Sequence, residues 1–162
     1  MNRSRLLSAV SVSVILGVTL LSGPAVGVLD LTQSGVDTAG IGEGNVTVDA
    51  VDAPEAAALD RAFGSESYYL EVPDAGVTIA SVRGRPILSY QVEIHELGYT
   101  RGSTHFLDAD DAGRIAVSME RDTFSGSRIT ESAYNGTLSV VLRYNDTERV
   151  VYEGAVTVEV TG

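Results

Sequence analysis

The chain reads as all-β: an antiparallel β-sandwich of the immunoglobulin or fibronectin-III kind, with a jelly roll as the alternative arrangement. Three observations predict this. From Asn45 onward apolar and polar residues alternate in one short stretch after another, the period of a strand with a single buried face. Turn residues (Gly, Pro, Asn, Asp) break the alternation roughly every 8–12 residues, the spacing of a sandwich. No strand–helix–strand spacing occurs that would call for a parallel sheet.

The chain opens differently. Arg3 and Arg5 precede an apolar run, Leu6 to Leu21, closed by Ser22-Gly23-Pro24 and followed by the small residues Ala25 and Gly27. A basic start, an apolar middle and a small-residue end mark an export signal. The run lies between the ~7–15 residues of a signal core and the ~20 of a spanning helix. Residues 1–27 are therefore expected to be a signal peptide or a retained membrane-anchor helix, and both place the remainder of the chain outside the cytoplasmic membrane. Residues 28–44, ending in Gly40-Ile41-Gly42-Glu43-Gly44, read as a flexible linker. Residues 45–162 read as the sandwich domain.

Within that domain Val46 and Val48 face one way and Thr47 and Asp49 the other, a half-buried strand. Pro54 to Phe63 carries Glu-Ala-Ala-Ala-Leu-Asp-Arg-Ala between Pro and Gly64, the pattern of one short helix. Tyr68, Leu70 and Val72 alternate, Pro73–Gly76 turns, and Val77–Arg83 resumes. Gly84-Arg85-Pro86 turns again. Ile87–Leu97 is the clearest strand, with Leu88, Tyr90, Val92 and Ile94 inward and Ser89, Gln91, Glu93 and His95 outward. Gly98–Gly113 is polar and reads as a loop with a short strand at His105–Leu107. Ile115, Val117 and Met119 alternate, and Phe124–Ala133 is irregular with room for a short strand. The last thirty residues form a hairpin: Leu138, Val140, Leu142 and Tyr144, a turn at Asn145-Asp146-Thr147, then Val150 and Tyr152 running on to Val160.

Composition bounds the chemistry. There is no cysteine, which removes disulfides, thiolate nucleophiles and zinc–thiolate clusters. All 11 basic residues are arginine, set against 22 acidic residues. Beyond Gly27 the balance is −13, from nine arginines and the same 22 acids. Nucleic acid is not an expected partner, because phosphate recognition needs clustered positive charge. At molar salt the screening length falls to about 3 Å, and so acidic a surface becomes tolerable.

An acidic, lysine-free, Val/Ala/Gly/Thr-rich chain behind an export segment resembles the short exported proteins of salt-loving archaea. The layout of export segment plus small cysteine-free β domain is also similar to biofilm-fibre proteins of the TasA or camelysin type. That likeness implies subunits joined by strand addition at an open sheet edge, here expected at the C-terminal strand.

Few residues carry candidate chemistry. Asp108, Asp110 and Asp111, followed by Gly113, resemble the start of a calcium loop, where oxygen ligands alternate around a hard cation. Ala112 and Met119 stand where further ligands belong, and the plainer reading is a solvated acidic turn. His95 beside Glu93 offers a metal or base pair. Ser103, His105 and Asp108 offer a nucleophile, base and acid, although no Gly-x-Ser-x-Gly turn is present. Asn45, Asn135 and Asn145 each have Thr two places on, the N-glycan acceptor pattern. The tyrosines fall mostly on inner faces and read as core. The expected function is a non-enzymatic extracytoplasmic domain that contacts a protein or envelope component, or the membrane where the N-terminal segment is retained. The alternatives are a calcium- or ligand-binding module, a matrix-fibre subunit, and an enzyme centred on the histidines.

Overall fold

In the computed structural model the described residues are 40–162; the expected export helix, and the linker up to residue 39, lie outside them. Two sheets form. The smaller has the strand order β1-β4-β7, with β1 at Gly44–Asp52, β4 at Ala75–Gly84 and β7 at Gly113–Val117. The larger has seven strands in the order β6-β5-β9-β10-β2-β3-β8. Its members are β2 (Ala56–Arg61), β3 (Ser67–Glu71), β5 (Ile87–Ile94), β6 (Tyr99–Phe106), β8 (Asp122–Ser125), β9 (Ala133–Tyr144) and β10 (Thr147–Thr161). Pairing is antiparallel throughout except between β10 and β2. The all-β, sandwich-like architecture therefore holds.

The alternation seen in the sequence becomes the core. Leu88, Tyr90, Val92 and Ile94 are each fully buried, as are Leu138, Val140 and Leu142 across the ladder from them. Val46, Val77 and Ile79 come from the small sheet and join the same cluster. Each such aliphatic side chain contributes on the order of 1.5–3 kcal/mol on leaving water. With no disulfide available, this burial and the ladders hold the body together. The Tyr90 hydroxyl keeps a partner inside by donating to the Pro73 carbonyl at 2.9 Å.

Four expectations need correction. Pro54–Phe63 is not a helix: Ala56–Arg61 is strand β2, parallel to the end of β10, with Ala57 and Leu59 buried and Ala58 and Asp60 turned away. The segment has good helix formers, but so short an isolated helix is marginal. Backbone pairing on two sides and burial of Leu59 outweigh a weak intrinsic preference. Tyr99–Phe106 is a full strand instead of a loop. Its inward positions Tyr99, Arg101, Ser103 and His105 are only half buried, because an edge strand is covered on one side alone, and so no apolar period marks it. The expected linker end, Gly40–Gly44, is seated: Ile41 bridges Arg85, and the Gly42 amide donates to the Arg85 carbonyl. The C-terminal strand is not an open edge, since β10 lies between β9 and β2.

The ends of the body are set by turns. Asn145 and Asp146 both take positive φ, 47° and 58°, the two-residue turn whose twist suits a hairpin and which Asn and Asp tolerate. The Asn145 side chain then clamps Gly44: Oδ1 accepts from the Gly44 amide at 3.0 Å and Nδ2 donates to its carbonyl at 2.8 Å. The β9–β10 tip is thereby strapped to the start of β1. The other end holds the β2–β3 turn, the β8 terminus and Gly162. β10 runs between the two ends, and fifteen residues of strand cover about 45 Å.

The free edges of the large sheet, β6 and β8, meet through side chains. The Tyr99 hydroxyl donates to Asp122 Oδ2 at 2.9 Å. Arg101 reaches the same oxygen at 2.9 Å. The Tyr99 and Phe124 rings stand edge to face, centroids 4.8 Å apart, and Arg128 donates to the Leu97 carbonyl at 2.7 Å. The sheet is thus curled until its edges touch, and the seam is polar and aromatic instead of a backbone ladder.

Candidate functional site

The residues proposed for chemistry are scattered. β5 and β6 form a hairpin, with Leu88 opposite His105 and Ile94 opposite Tyr99. His95 follows β5 at one end of this hairpin and His105 sits near the other, six residues of strand or about 20 Å away. His95 Nδ1 does meet Glu93 Oε1, at 3.0 Å, with both side chains more than half exposed. Ser103 Oγ and His105 Nε2 are 3.3 Å apart on β6. Arg101, Ser103, His105, Ser118, Met119 and Glu120 line a shallow cleft there.

Asp108 is used elsewhere. Its carboxylate accepts from the Asp110 amide at 2.9 Å, and Asp111 accepts from the Asp108 amide at 2.9 Å. This reciprocal pair caps the short 3₁₀ turn Ala109–Asp111, as expected where a carboxylate can satisfy otherwise unpaired N–H groups. Among the described residues no group of three or more His, Asp or Glu is gathered to hold a metal ion. The Asp108 and Asp111 carboxylates thus cap a turn, to which Asp110 contributes its backbone amide.

The three sequons differ. Asn45, on β1, and Asn135, near the start of β9, are exposed on strands. Asn145 is exposed as well, but its amide nitrogen is engaged with the Gly44 carbonyl. Of the tyrosines, Tyr90 and Tyr134 are core, while Tyr69 lies outward with Arg121 over its ring at 5.8 Å. The electrostatics concentrate at the seam. Burial and the Asp122 carboxylate push the Tyr99 phenol up to about 12. The Thr123 amide, then Tyr99 and Arg101, hold the Asp122 carboxyl below its ordinary value.

The most conspicuous surface feature does not stand out in the sequence pattern. In the β2–β3 turn Phe63 is fully exposed, its neighbours held by the Ala62 amide on the Ser67 carbonyl and the Ser65 amide on the Ala62 carbonyl. Gly64, at φ 70°, supplies the left-handed residue the turn needs. Arg61, Glu66 and Gly162 complete an open cleft of about 510 Å³ beside it. Counting Phe63 as the last turn of a helix hides it; the Phe-Gly pair ahead of Ser-Glu-Ser is the available signal. No family model, no curated protein and no solved structure matches the chain.

Proposed function

We propose that this chain is a non-enzymatic extracytoplasmic domain of a halophilic archaeon, secreted or held at the membrane by residues 1–27, with a structural or protein-contact role at the cell surface. The observation that carries the reading is the placement of Phe63. An aromatic side chain stands entirely in water on a hydrogen-bonded turn, about 45 Å of strand from Gly40, where the chain enters the body. Large apolar side chains left in solvent at a defined position are the anchors that partners bury. The acidic composition and the export pattern support the setting. Within the sandwich class we further propose the immunoglobulin or fibronectin-III kind. In support, the Tyr134 hydroxyl, at the start of β9, accepts from the Thr130 and Glu131 amides just upstream, as a tyrosine corner does.

Full burial of one Phe is worth about 2–3 kcal/mol, or more than tenfold in affinity. The test is co-sedimentation of purified protein with lipid-extracted cell envelopes at molar salt, wild type against Phe63→Ser. At least a tenfold weaker association of the variant is expected. Equal sedimentation of the two would remove the protein-contact role, and mass spectrometry of native material would report separately on export and processing.

A further inference from the structure

The turn that carries Phe63 also carries a recess able to receive such a side chain. Phe63 is fully exposed, and the open cleft of about 510 Å³ beside it is lined by the same turn, Arg61 to Glu66, together with Gly162. Projection and recess therefore belong to one surface. Its charges are matched as well. Arg61 precedes Phe63 and Glu66 follows it; both are exposed, and both line this cleft and the smaller recess at Tyr68, Gly126 and Ser127. Among the described residues neither has an ion-pair partner, since the arginine ion pairs there use Arg101, Arg114, Arg121 and Arg143. Their neighbours are occupied. Asp60 accepts from the Thr161 hydroxyl, and Arg128 donates to the Leu97 carbonyl while lying over the Phe124 ring. Residues 60–66 and 125–128 thus hold two arginines, Arg61 and Arg128, against two acids, Asp60 and Glu66. Residues 40–162 as a whole hold nine arginines against 20 acids, Asp30 and Asp37 of the 22 lying upstream. This tip is a charge-balanced patch on a strongly acidic body.

We propose that the occupant of this cleft is a second copy of the chain. The two copies meet tip to tip about a two-fold axis, each Phe63 entering the other's cleft and each Arg61 pairing with the other's Glu66. A two-fold contact sets one patch against itself, so it must be self-complementary. A knob, a recess, one free cation and one free anion on a single turn meet that requirement. Two strongly acidic bodies also approach with least repulsion where their charges balance. At molar salt the screening length of about 3 Å suppresses the repulsion of the remainder, while ion pairs in contact persist. The turn is already ordered: the Ala62 amide donates to the Ser67 carbonyl and the Gly126 amide to the Glu66 carbonyl, so little backbone freedom is lost on contact. The inference rests on the reading of Phe63 as a contact anchor and names its partner. Copies already at the cell surface then retain added protein in the envelope sedimentation.

The chain has no cysteine, so single cysteines report contacts between copies by oxidative cross-linking without background. Ser65→Cys lies between Phe63 and Glu66, next to the axis such an exchange requires, and Thr104→Cys, exposed on β6, is the control. Full-length protein is oxidised in mild detergent at molar salt, and circular dichroism checks that each variant is folded. Cross-linking at position 65 is expected to run at least tenfold faster than at position 104, and Phe63→Ser to abolish the difference. In the Ser65→Cys background, Arg61→Glu and Glu66→Arg are each expected to slow it about threefold, since like charges then face across the axis. Mixing these two variants, carrying tags of different length, is expected to restore it as a mixed dimer. Equal rates at 65 and 104 would overturn the second copy as occupant; envelope sedimentation that still depends on Phe63 would then leave the contact role standing with another envelope component. Fast cross-linking at 65 that the mixture of charge variants does not restore would overturn the two-fold pairing. Indifference of both assays to Phe63→Ser would remove the anchor and its partner together.

Discussion

The seam between β6 and β8 offers the sharpest quantitative test of how this fold closes. No backbone ladder joins the two edges, and Tyr99, Arg101 and Asp122 do so through one carboxylate oxygen. A hydrogen bond to a charged acceptor contributes about 1.5–3 kcal/mol. The Asp122 side chain is 36 % exposed, and water competition lowers that to about 1–1.5 kcal/mol. The half-buried Arg101 adds an ion pair to the same oxygen. Tyr99→Phe, which keeps the edge-to-face contact with Phe124, is expected to cost ~1 kcal/mol, and Asp122→Ala about 1.5–2.5 kcal/mol. With an unfolding entropy of about 2.1 cal/mol/K per residue over roughly 120 residues, each kcal/mol lowers Tm by about 4 °C. The assay is thermal unfolding by circular dichroism at molar salt on both single variants and the double. A coupling near 1 kcal/mol is expected, and additivity within about 0.3 kcal/mol would show that Tyr99 and Asp122 do not hold the edges together.

Other outcomes rest on the same structure. Because the Asp122 carboxyl is held low, first by the Thr123 amide and then by Tyr99 and Arg101, its contribution is present above the ordinary carboxyl range and lost as pH falls through the lowered value. Wild type should therefore lose more Tm than Asp122→Asn on acidification below about pH 4, and parallel curves would contradict this assignment. Asn145→Ala removes both bonds to Gly44 and puts Ala at φ 47°, an expected loss of about 2–3 kcal/mol in chemical denaturation; a loss below ~0.5 kcal/mol would refute the clamp. Mass spectrometry of native protein should find glycan on Asn45 or Asn135 in preference to Asn145, and occupancy of Asn145 alone would be the wrong outcome. Dialysis from molar to low salt should abolish the β-type circular dichroism, as repulsion among the carboxylates is unscreened. Equal spectra in both would leave the acidity as solubility alone.

Local alternation is enough to place most strands. Leu88, Tyr90, Val92 and Ile94 are legible as one inner face, because a side chain's direction in a strand is set by parity along the chain. The Asn145-Asp146 turn is legible too, since few residues accept the left-handed backbone. The candidate sites are less legible. The spacing of Asp108, Asp110 and Asp111 fits either a cation or a turn, and only the positions of the amides distinguish them. Likewise the separation of His95 from His105 depends on which β5 residue stands opposite which β6 residue, and the intervening sequence does not state that register.

What the amino-acid order settles unaided is therefore parity: which residues share a face, and where the backbone must turn. The neighbours across a ladder come from tertiary structure. Ala56–Arg61 is helical by composition and becomes a strand only because β10 and β3 offer hydrogen bonds on both sides. Tyr99–Phe106 lacks an apolar period because its inner face looks onto the polar seam with β8. Both are non-local effects, in which partners remote in sequence supply the backbone bonds and the cover that local preference cannot anticipate. The exposed aromatic turn at Phe63 emerges for the same reason, once the sheets have decided which side chains remain outside.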